Sequence, residues 1–238
     1  MSKLTWNNTA EHYYETGVKN CVLYVKGSNG AYGNGVAWNG VTGITESPSG
    51  AEATALYADD RKYAELLSKE EFGATLEAYM YPTEFAGCNG YVEVDGLIIG
   101  QQPRSSFGLS YITSKGSADD SEAGQILHII YNCKAAPSEK AYATINDSPE
   151  AITFSWEITT TAEDPGSDCK VNGVVVKPTA HLEIDSTKLE GGIADEKWTA
   201  MIDKLQGSAS GNAALPSLAT IIKFFAGEVE TLDESEAA

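Results

Sequence analysis

Basic residues are scarce in this chain. Its 238 residues hold 16 Lys and Arg against 34 Asp and Glu, a formal net charge of −18. A surface that negative repels phosphate and gains nothing from counterion release, which argues against stable nucleic-acid binding. Histidine is rarer still, with His12, His128 and His181 alone. The four cysteines, Cys21, Cys88, Cys133 and Cys169, lie far apart. They form no C-x-x-C pair and have no histidine at zinc-finger spacing. Reduced, buried thiols in a cytosolic protein are the expectation. No apolar run approaches membrane-spanning length, so no membrane insertion is expected. MSKLTWNNTAEHYYE has no apolar stretch of the secretory kind. The expected location is a cytoplasm, until the chain joins something larger.

Catalytic signatures are missing too. There is no G-x-S-x-G, H-E-x-x-H or P-loop sequence. Gly33-Asn34-Gly35 begins like a dinucleotide fingerprint, but Trp38 stands where the third glycine belongs. His12 falls in a polar arm, and His181 on the polar face of a strand. His128 lies within an apolar strand, where a satisfied core or interface histidine is the expected role rather than a base. Asp119, Asp120 and Glu122 cluster in SKGSADDSEAG without the spacing of a calcium loop, and Asp164 and Asp168 in AEDPGSD read the same way. Both are expected to be solvated loop tips. Asn7 and Asn146 stand in nominal glycosylation triplets, which mean little without secretion. No enzyme, no cofactor and no metal site is expected from these residues.

The length allows one large domain or two small ones, each able to bury a core. Strand patterns dominate. Ala74, Leu76 and Ala78 alternate with Thr75 and Glu77; Ile152, Phe154, Trp156 and Ile158 alternate with Ser155 and Glu157. Ala180, Leu182 and Ile184 alternate with His181, Glu183 and Asp185. Such period-two segments predict one-sided antiparallel strands. Cys21–Val25 reads as a short strand behind an arm over 1–16. Ile126–Tyr131 is nearly continuous in apolar character and suits cover on both faces. Gly27–Gly43 predicts turns and an irregular loop. Trp198, Met201, Ile202 and Leu205 form one stripe, predicting a helix over 195–206 capped by Asp195 and stopped at Gly207. Residues 56–69 fit either a helix face or a hairpin turning at Asp59-Asp60. Segment 207–217 is linker-like, Leu218–Phe225 is apolar and needs a partner, and Glu228–Ala238 is acidic. The expected division is 1–206 as a β-domain with an N-terminal arm, and 207–238 as a C-terminal extension.

Two segments carry a resemblance. WNGVTGITESPSGAEATALYADDRKY (38–63) and EKAYATINDSPEAITFSWEITTT (139–161) resemble the major tail tube proteins of long, non-contractile-tailed phages and prophages of Gram-positive bacteria. EEFGATLEAYMYPTEF (70–85), GQQPRSSFGLSYIT (100–113) and DEKWTAMIDKLQG near the end extend it over roughly residues 10–206. The resemblance implies a mainly β fold: a tail-tube-type β-sandwich with a flanking α-helix, giving strands to an inter-subunit β-barrel. It implies hexameric rings stacked into a tube, a virion component assembled in the host bacterial cytoplasm. The implied partners are further copies of the chain, a tape measure protein, a tail terminator and distal tail or baseplate proteins. Phage DNA would pass without specific binding, and the chain's acidity suits that passage. The resemblance favours the hairpin for 55–63, with Asp59, Asp60 and Arg61 as inter-ring contacts. It makes Glu77 and Glu157 candidates for the lumen wall, and 38–52 a loop bridging subunits or rings. A subunit of a defective prophage particle or tailocin has the same subunit physics. The competing reading from another class is a monomeric, all-β glycan- or surface-binding module, using Trp6, Tyr13, Tyr14, Trp38 and Tyr81 as stacking platforms.

Overall fold

The computed structural model describes residues 6, 12–118, 120–142, 144, 151–209 and 211–232. In chain order the strands are β1 (Tyr13–Val25), β2 (Val36–Ala37), β3 (Val41–Glu46), β4 (Ala53–Ala58), β5 (Arg61–Leu67), β6 (Gly73–Ala78), β7 (Val92–Val94), β8 (Leu97–Ile99), β9 (Phe107–Ser117), β10 (Gly124–Ala135), β11 (Phe154–Thr159), β12 (Lys170–Val171), β13 (Val174–Val175) and β14 (His181–Asp185). Helices α1 (Glu196–Gln206) and α2 (Leu218–Ala226) follow. The protein is mainly β, and every strand pairing is antiparallel.

Eight strands form one hydrogen-bonded path, β2-β1-β9-β10-β11-β6-β3, with β14 also on β10. The path folds back on itself. Cys21 and Leu23 of β1, Leu109 and Tyr111 of β9 and Ile130 of β10 meet Ala74, Leu76 and Ala78 of β6 and Trp156 and Ile158 of β11 in one buried core. The opposite face of β1, β9 and β10 is also covered. Val22, Tyr24, Ile112, Leu127, Ile129 and Tyr131 pack against Trp198, Met201 and Leu205 of α1 and Leu218, Ile221 and Phe224 of α2. The order of layers is therefore sheet, sheet, helices. Double cover explains why 126–131 lacks alternation: both faces exclude water. It also gives Leu218–Phe225 its partner, which is the outer face of its own sheet.

Two buried tyrosines fasten the helical layer. The Tyr24 hydroxyl donates to the Leu205 carbonyl at 2.6 Å, and Tyr131 to the Pro216 carbonyl at 3.0 Å. Asp195 caps α1 by accepting from the Lys197 N–H, and Ser217 caps α2 by accepting from Thr220. Each satisfies a backbone donor that the first turn leaves free.

β10 belongs to both sheets because it breaks register between Ile130 and Cys133. Before the break Ile130 faces the inter-sheet core; after it Cys133 and Ala135 do. One extra residue inverts the alternation and bends the strand. Asn132 sits at the break with φ +50°. Its Oδ1 accepts from Lys26 Nζ at 2.6 Å and from the Tyr32 hydroxyl at 3.1 Å, while its own N–H donates to that hydroxyl.

β1 is longer than its apolar pattern predicts. It begins at Tyr13, inside the stretch expected as an arm, and pairs with β9 down to Tyr13–Ser117. Its first half is exposed, so no face pattern marks it, and two register shifts absorb Gly17 (φ +71°) and Asn20 (φ +53°). The glycine-rich stretch holds β2 and the start of β3 as well as turns. Of 38–52, expected as a bridging loop, 41–46 is β3 paired to β6, while 38–40 and 47–52 lie outside the strand.

Replacing Asn132 separates its two contributions. Asn132→Gly removes the side-chain bonds but tolerates positive φ, whereas Asn132→Ala loses both. Urea unfolding is expected to show Ala less stable than Gly by about 1 kcal/mol, with both below wild type. The reverse order would mean that the break does not constrain the backbone.

Candidate functional site

Three hairpins stand apart from the main sheet, each paired only within itself: β4–β5, β7–β8 and β12–β13. Each turns on two residues with positive φ: Asp59-Asp60 (+51°, +58°), Asp95-Gly96 (+49°, +83°) and Asn172-Gly173 (+52°, +79°). That is the primed-turn geometry whose twist matches paired strands. The hairpin reading of 56–69 is therefore the one the backbone adopts. The other two hairpins carry strong short-range signals, Asp-Gly between VEV and LII and Asn-Gly between KV and VV.

An isolated two-stranded hairpin is marginal in water, yet these carry exposed apolar side chains. On β4–β5 they are Leu56, Tyr57, Tyr63, Leu66 and Leu67, with Tyr63 78% and Leu67 71% exposed. On β7–β8, Val92, Val94, Leu97, Ile98 and Ile99 are all exposed. Asp59, Asp60 and Arg61 lie at the β4–β5 tip in solvent and form no ion pair among the described residues. The hairpin's one ion pair, Lys62–Glu65 at 2.8 Å, is exposed and adds little.

Glu77 and Glu157 lie on the outward face of the sheet formed by β3, β6 and β11. Glu77 pairs with Ser155, and Glu157 with Thr75, so all four share one face. Both glutamates are exposed, while Leu76, Trp156 and Ile158 point into the core.

Between the two sheets lies an unexpected group. Four rings stack in a column: Phe72 on His181 (4.3 Å), His181 on His128 (5.7 Å) and His128 on Tyr111 (4.6 Å). Cross-strand register sets the column, with His128 opposite both Tyr111 and Glu183, and His181 opposite Ile130. Glu46 reaches it from the end of β3. Its Oε1 accepts from the Tyr111 hydroxyl at 2.6 Å and lies 3.3 Å from His128 Nδ1 and 3.6 Å from His181 Nε2. His128 Nε2 is 3.1 Å from Thr113 Oγ1. The His128 imidazole, opposed by burial and aided by the Tyr111 hydroxyl and His181, holds the Glu46 carboxyl down at about 2. Burial lowers His181 below its ordinary value against the pull of Glu46 and Glu183, and burial, reinforced by Glu46, pushes Tyr111 up. His181 is therefore not on a solvated face, as the alternation of β14 predicts. Phe72 and His128 enclose its ring. Asp185 on the same strand is also covered, held by Lys115 Nζ at 2.6 Å.

Trp38 and Tyr81, read as exposed platforms, are enclosed instead. Trp38 is 3% exposed, donates to the Met80 carbonyl and packs on Phe85 and Trp156; Tyr81 packs edge-on against Phe85, Phe154 and Trp156. Trp6, Tyr13 and Tyr14 are exposed. All four cysteines are buried, with burial raising Cys21 and Cys88 to about 12. Asp120, Glu122, Asp164 and Asp168 lie in exposed turns, where Asp120 accepts from the Glu122 N–H and Asp164 from the Gly166 N–H. Asn7, Asp119 and Asn146 lie outside the described residues. No helix among the described residues is long and apolar enough to cross a membrane.

No family model and no curated protein matches the chain. Among solved structures it is similar to a chain of the anti-feeding prophage baseplate, determined by cryo-electron microscopy with six-fold symmetry. The identity is 8% and the TM-score 0.36, over 79% of this chain and 100% of that one. It is also similar to a chain of an extracellular contractile injection system, from a sheath–tube complex in the extended state. There the identity is 11% and the TM-score 0.32, over 77% and 99% of the two chains. Likenesses this distant carry no argument about what the chain does.

The β4–β5 turn gives a direct check on the hairpin. Asp60→Gly relieves positive φ and is expected to stabilise the hairpin by about 0.5–1 kcal/mol, whereas Asp60→Val strains it by about 1–2 kcal/mol. Amide exchange across β4 and β5 should slow in the first variant and quicken in the second. Equal protection in both would rule out the primed turn.

Proposed function

We propose that this chain is a structural, self-assembling subunit of a phage-type tail tube, built from stacked hexameric rings through which DNA passes. The observation that carries this reading is the β4–β5 hairpin. It pairs with nothing else among the described residues and exposes Leu56, Tyr57, Tyr63, Leu66 and Leu67. Apolar side chains on a projecting two-stranded arm are stable in place only when a neighbour covers them. Asp59, Asp60 and Arg61 would then meet the next ring.

The sheet formed by β3, β6 and β11 supports the lumen half of the proposal. One face is core and the other carries Glu77 and Glu157. Joined edge to edge around a ring, six such sheets would lose their free edges and present a polar, acidic inner wall. Such a wall repels the DNA backbone over about 8 Å at physiological salt. The head-to-tail contact that closes a ring, combined with stacking, gives a tube. The segments resembling tail tube proteins include β3 to β6 and β11, the elements this scheme uses. In that setting the chain would be a virion protein made in the host cytoplasm. Its partners would be a tape measure protein, a tail terminator and distal tail proteins. The glycan-binding reading keeps Trp6, Tyr13 and Tyr14 in solvent but loses Trp38 and Tyr81 to the core.

Negative-stain electron microscopy across a concentration series tests the proposal. Six-fold rings or hollow tubes are expected, and Leu66→Asp with Leu67→Asp should abolish stacking while the subunit stays folded by circular dichroism. A chain that remains monomeric at every concentration, with or without a tape measure protein, refutes the reading. Particles carrying Glu77→Lys and Glu157→Lys are expected to assemble but to eject DNA more slowly; normal ejection removes those residues from the lumen.

A further inference from the structure

Two ring nitrogens and two carboxylates converge between the sheets. His128 Nδ1, His181 Nε2 and carboxylate oxygens of Glu46 and Glu183 all lie within 4.8 Å of one another. The His128 side chain is only 6% exposed, yet its Nδ1 has no hydrogen-bond partner, and neither has His181 Nε2. Leaving buried polar atoms unpaired is unfavourable by about 1–3 kcal/mol each, so a fold rarely points two of them at one carboxylate oxygen without a ligand to share. We propose that Glu46, His128, His181 and Glu183 bind a divalent transition-metal ion of the zinc class.

The chemistry of the donors selects the ion. Two imidazoles and two carboxylates suit Zn2+ and its neighbours, whereas Ca2+ and Mg2+ take oxygen donors throughout. Zinc bonds of about 2.0–2.1 Å in a tetrahedron place donor atoms about 3.4 Å apart. Glu46 Oε1 already stands 3.3 Å from His128 and 3.6 Å from His181, and Glu183 3.9 Å from His128. Closing the set needs shifts of a few tenths of an ångström there, and Glu183, 54% exposed, is free to move in. Outer contacts orient the donors in the way metal sites require. Thr113 Oγ1 holds the far nitrogen of His128, Tyr111 donates to Glu46, and ring stacking fixes both imidazole planes. A cleft of about 380 Å³ lined by Phe72, Thr160, Thr179 and His181 opens beside the column. The ion would join β3 in one sheet to β10 and β14 in the other, a cross-link within one subunit that does not depend on assembly.

The full chain, stripped with chelator, is titrated with Zn2+ by calorimetry and followed by thermal unfolding. One Zn2+ per chain is expected, with a midpoint raised by about 5 °C or more at saturation. Co2+ in its place should give the visible bands of a tetrahedral nitrogen–oxygen site. Glu183→Gln, at a surface position where folding is spared, and His181→Gln should each weaken binding at least about tenfold; His12→Gln should leave it unchanged. The proposal fails if the folded chain binds no Zn2+, as it would if only a proton sat between these groups. It fails equally if excess Mg2+ displaces the Zn2+, the mark of diffuse binding to an acidic surface, or if both site variants bind like wild type.

Discussion

β10 is shared between two sheets, and the rest of the structure is arranged around the place where it changes allegiance. Its first half pairs with β9 and β14; its last residues pair with β11. A strand can serve both only if its side-chain alternation inverts between them, and the extra residue at Asn132 inverts it. The left-handed backbone there is unfavourable for most residues. Lys26 and Tyr32 close on the Asn132 side chain and hold it. Without that break, Cys133 and Ala135 would leave the inter-sheet core and β11 would lose its partner.

The consequence is a division of labour between body and arms. The body buries both faces of its central strands, and its long aromatic side chains find polar partners: Tyr24 and Tyr131 on the helical layer, Trp38 on Met80, Trp156 on Asn89. The arms do the opposite. β4–β5 and β7–β8 pair only within themselves through primed turns and leave their apolar side chains in water. Each strand keeps one free edge, and exposed apolar surface makes such arms adhesive.

The histidine column obeys a different logic. Two imidazole nitrogens here face one ionised carboxylate, at 3.3 and 3.6 Å, without forming a hydrogen bond to it. Stacking supplies the geometry: Tyr111, His128, His181 and Phe72 lie nearly parallel, so the ring edges align toward Glu46. The charge of Glu46 is retained inside the sandwich because those edges and the Tyr111 hydroxyl stabilise it against burial.

Local chemistry alone was enough for several elements. The stripe of Trp198, Met201 and Leu205 with Asp195 before it and Gly207 after it specifies α1, because helix period and capping are properties of adjacent residues. Alternation over 73–78 and 154–159 specifies β6 and β11 and puts Glu77 and Glu157 on the face away from the core. The Asp-Gly and Asn-Gly turns are equally local signals. What depended on tertiary structure has no local signature. The exposed half of β1 is a strand only because β9 extends beside it. Trp38 is buried because β6 and the turn after it fold over it. His181 leaves the solvated face that its strand's period assigns because Phe72 covers one side of its ring and His128 the other. Its meeting with Glu46, Glu183 and His128 joins residues up to 137 positions apart in sequence, counted from Glu46 to Glu183. Period and capping are written in neighbouring residues. Convergence on a shared site is decided by strand register and by which sheet a strand joins, and those are settled only when the whole chain packs.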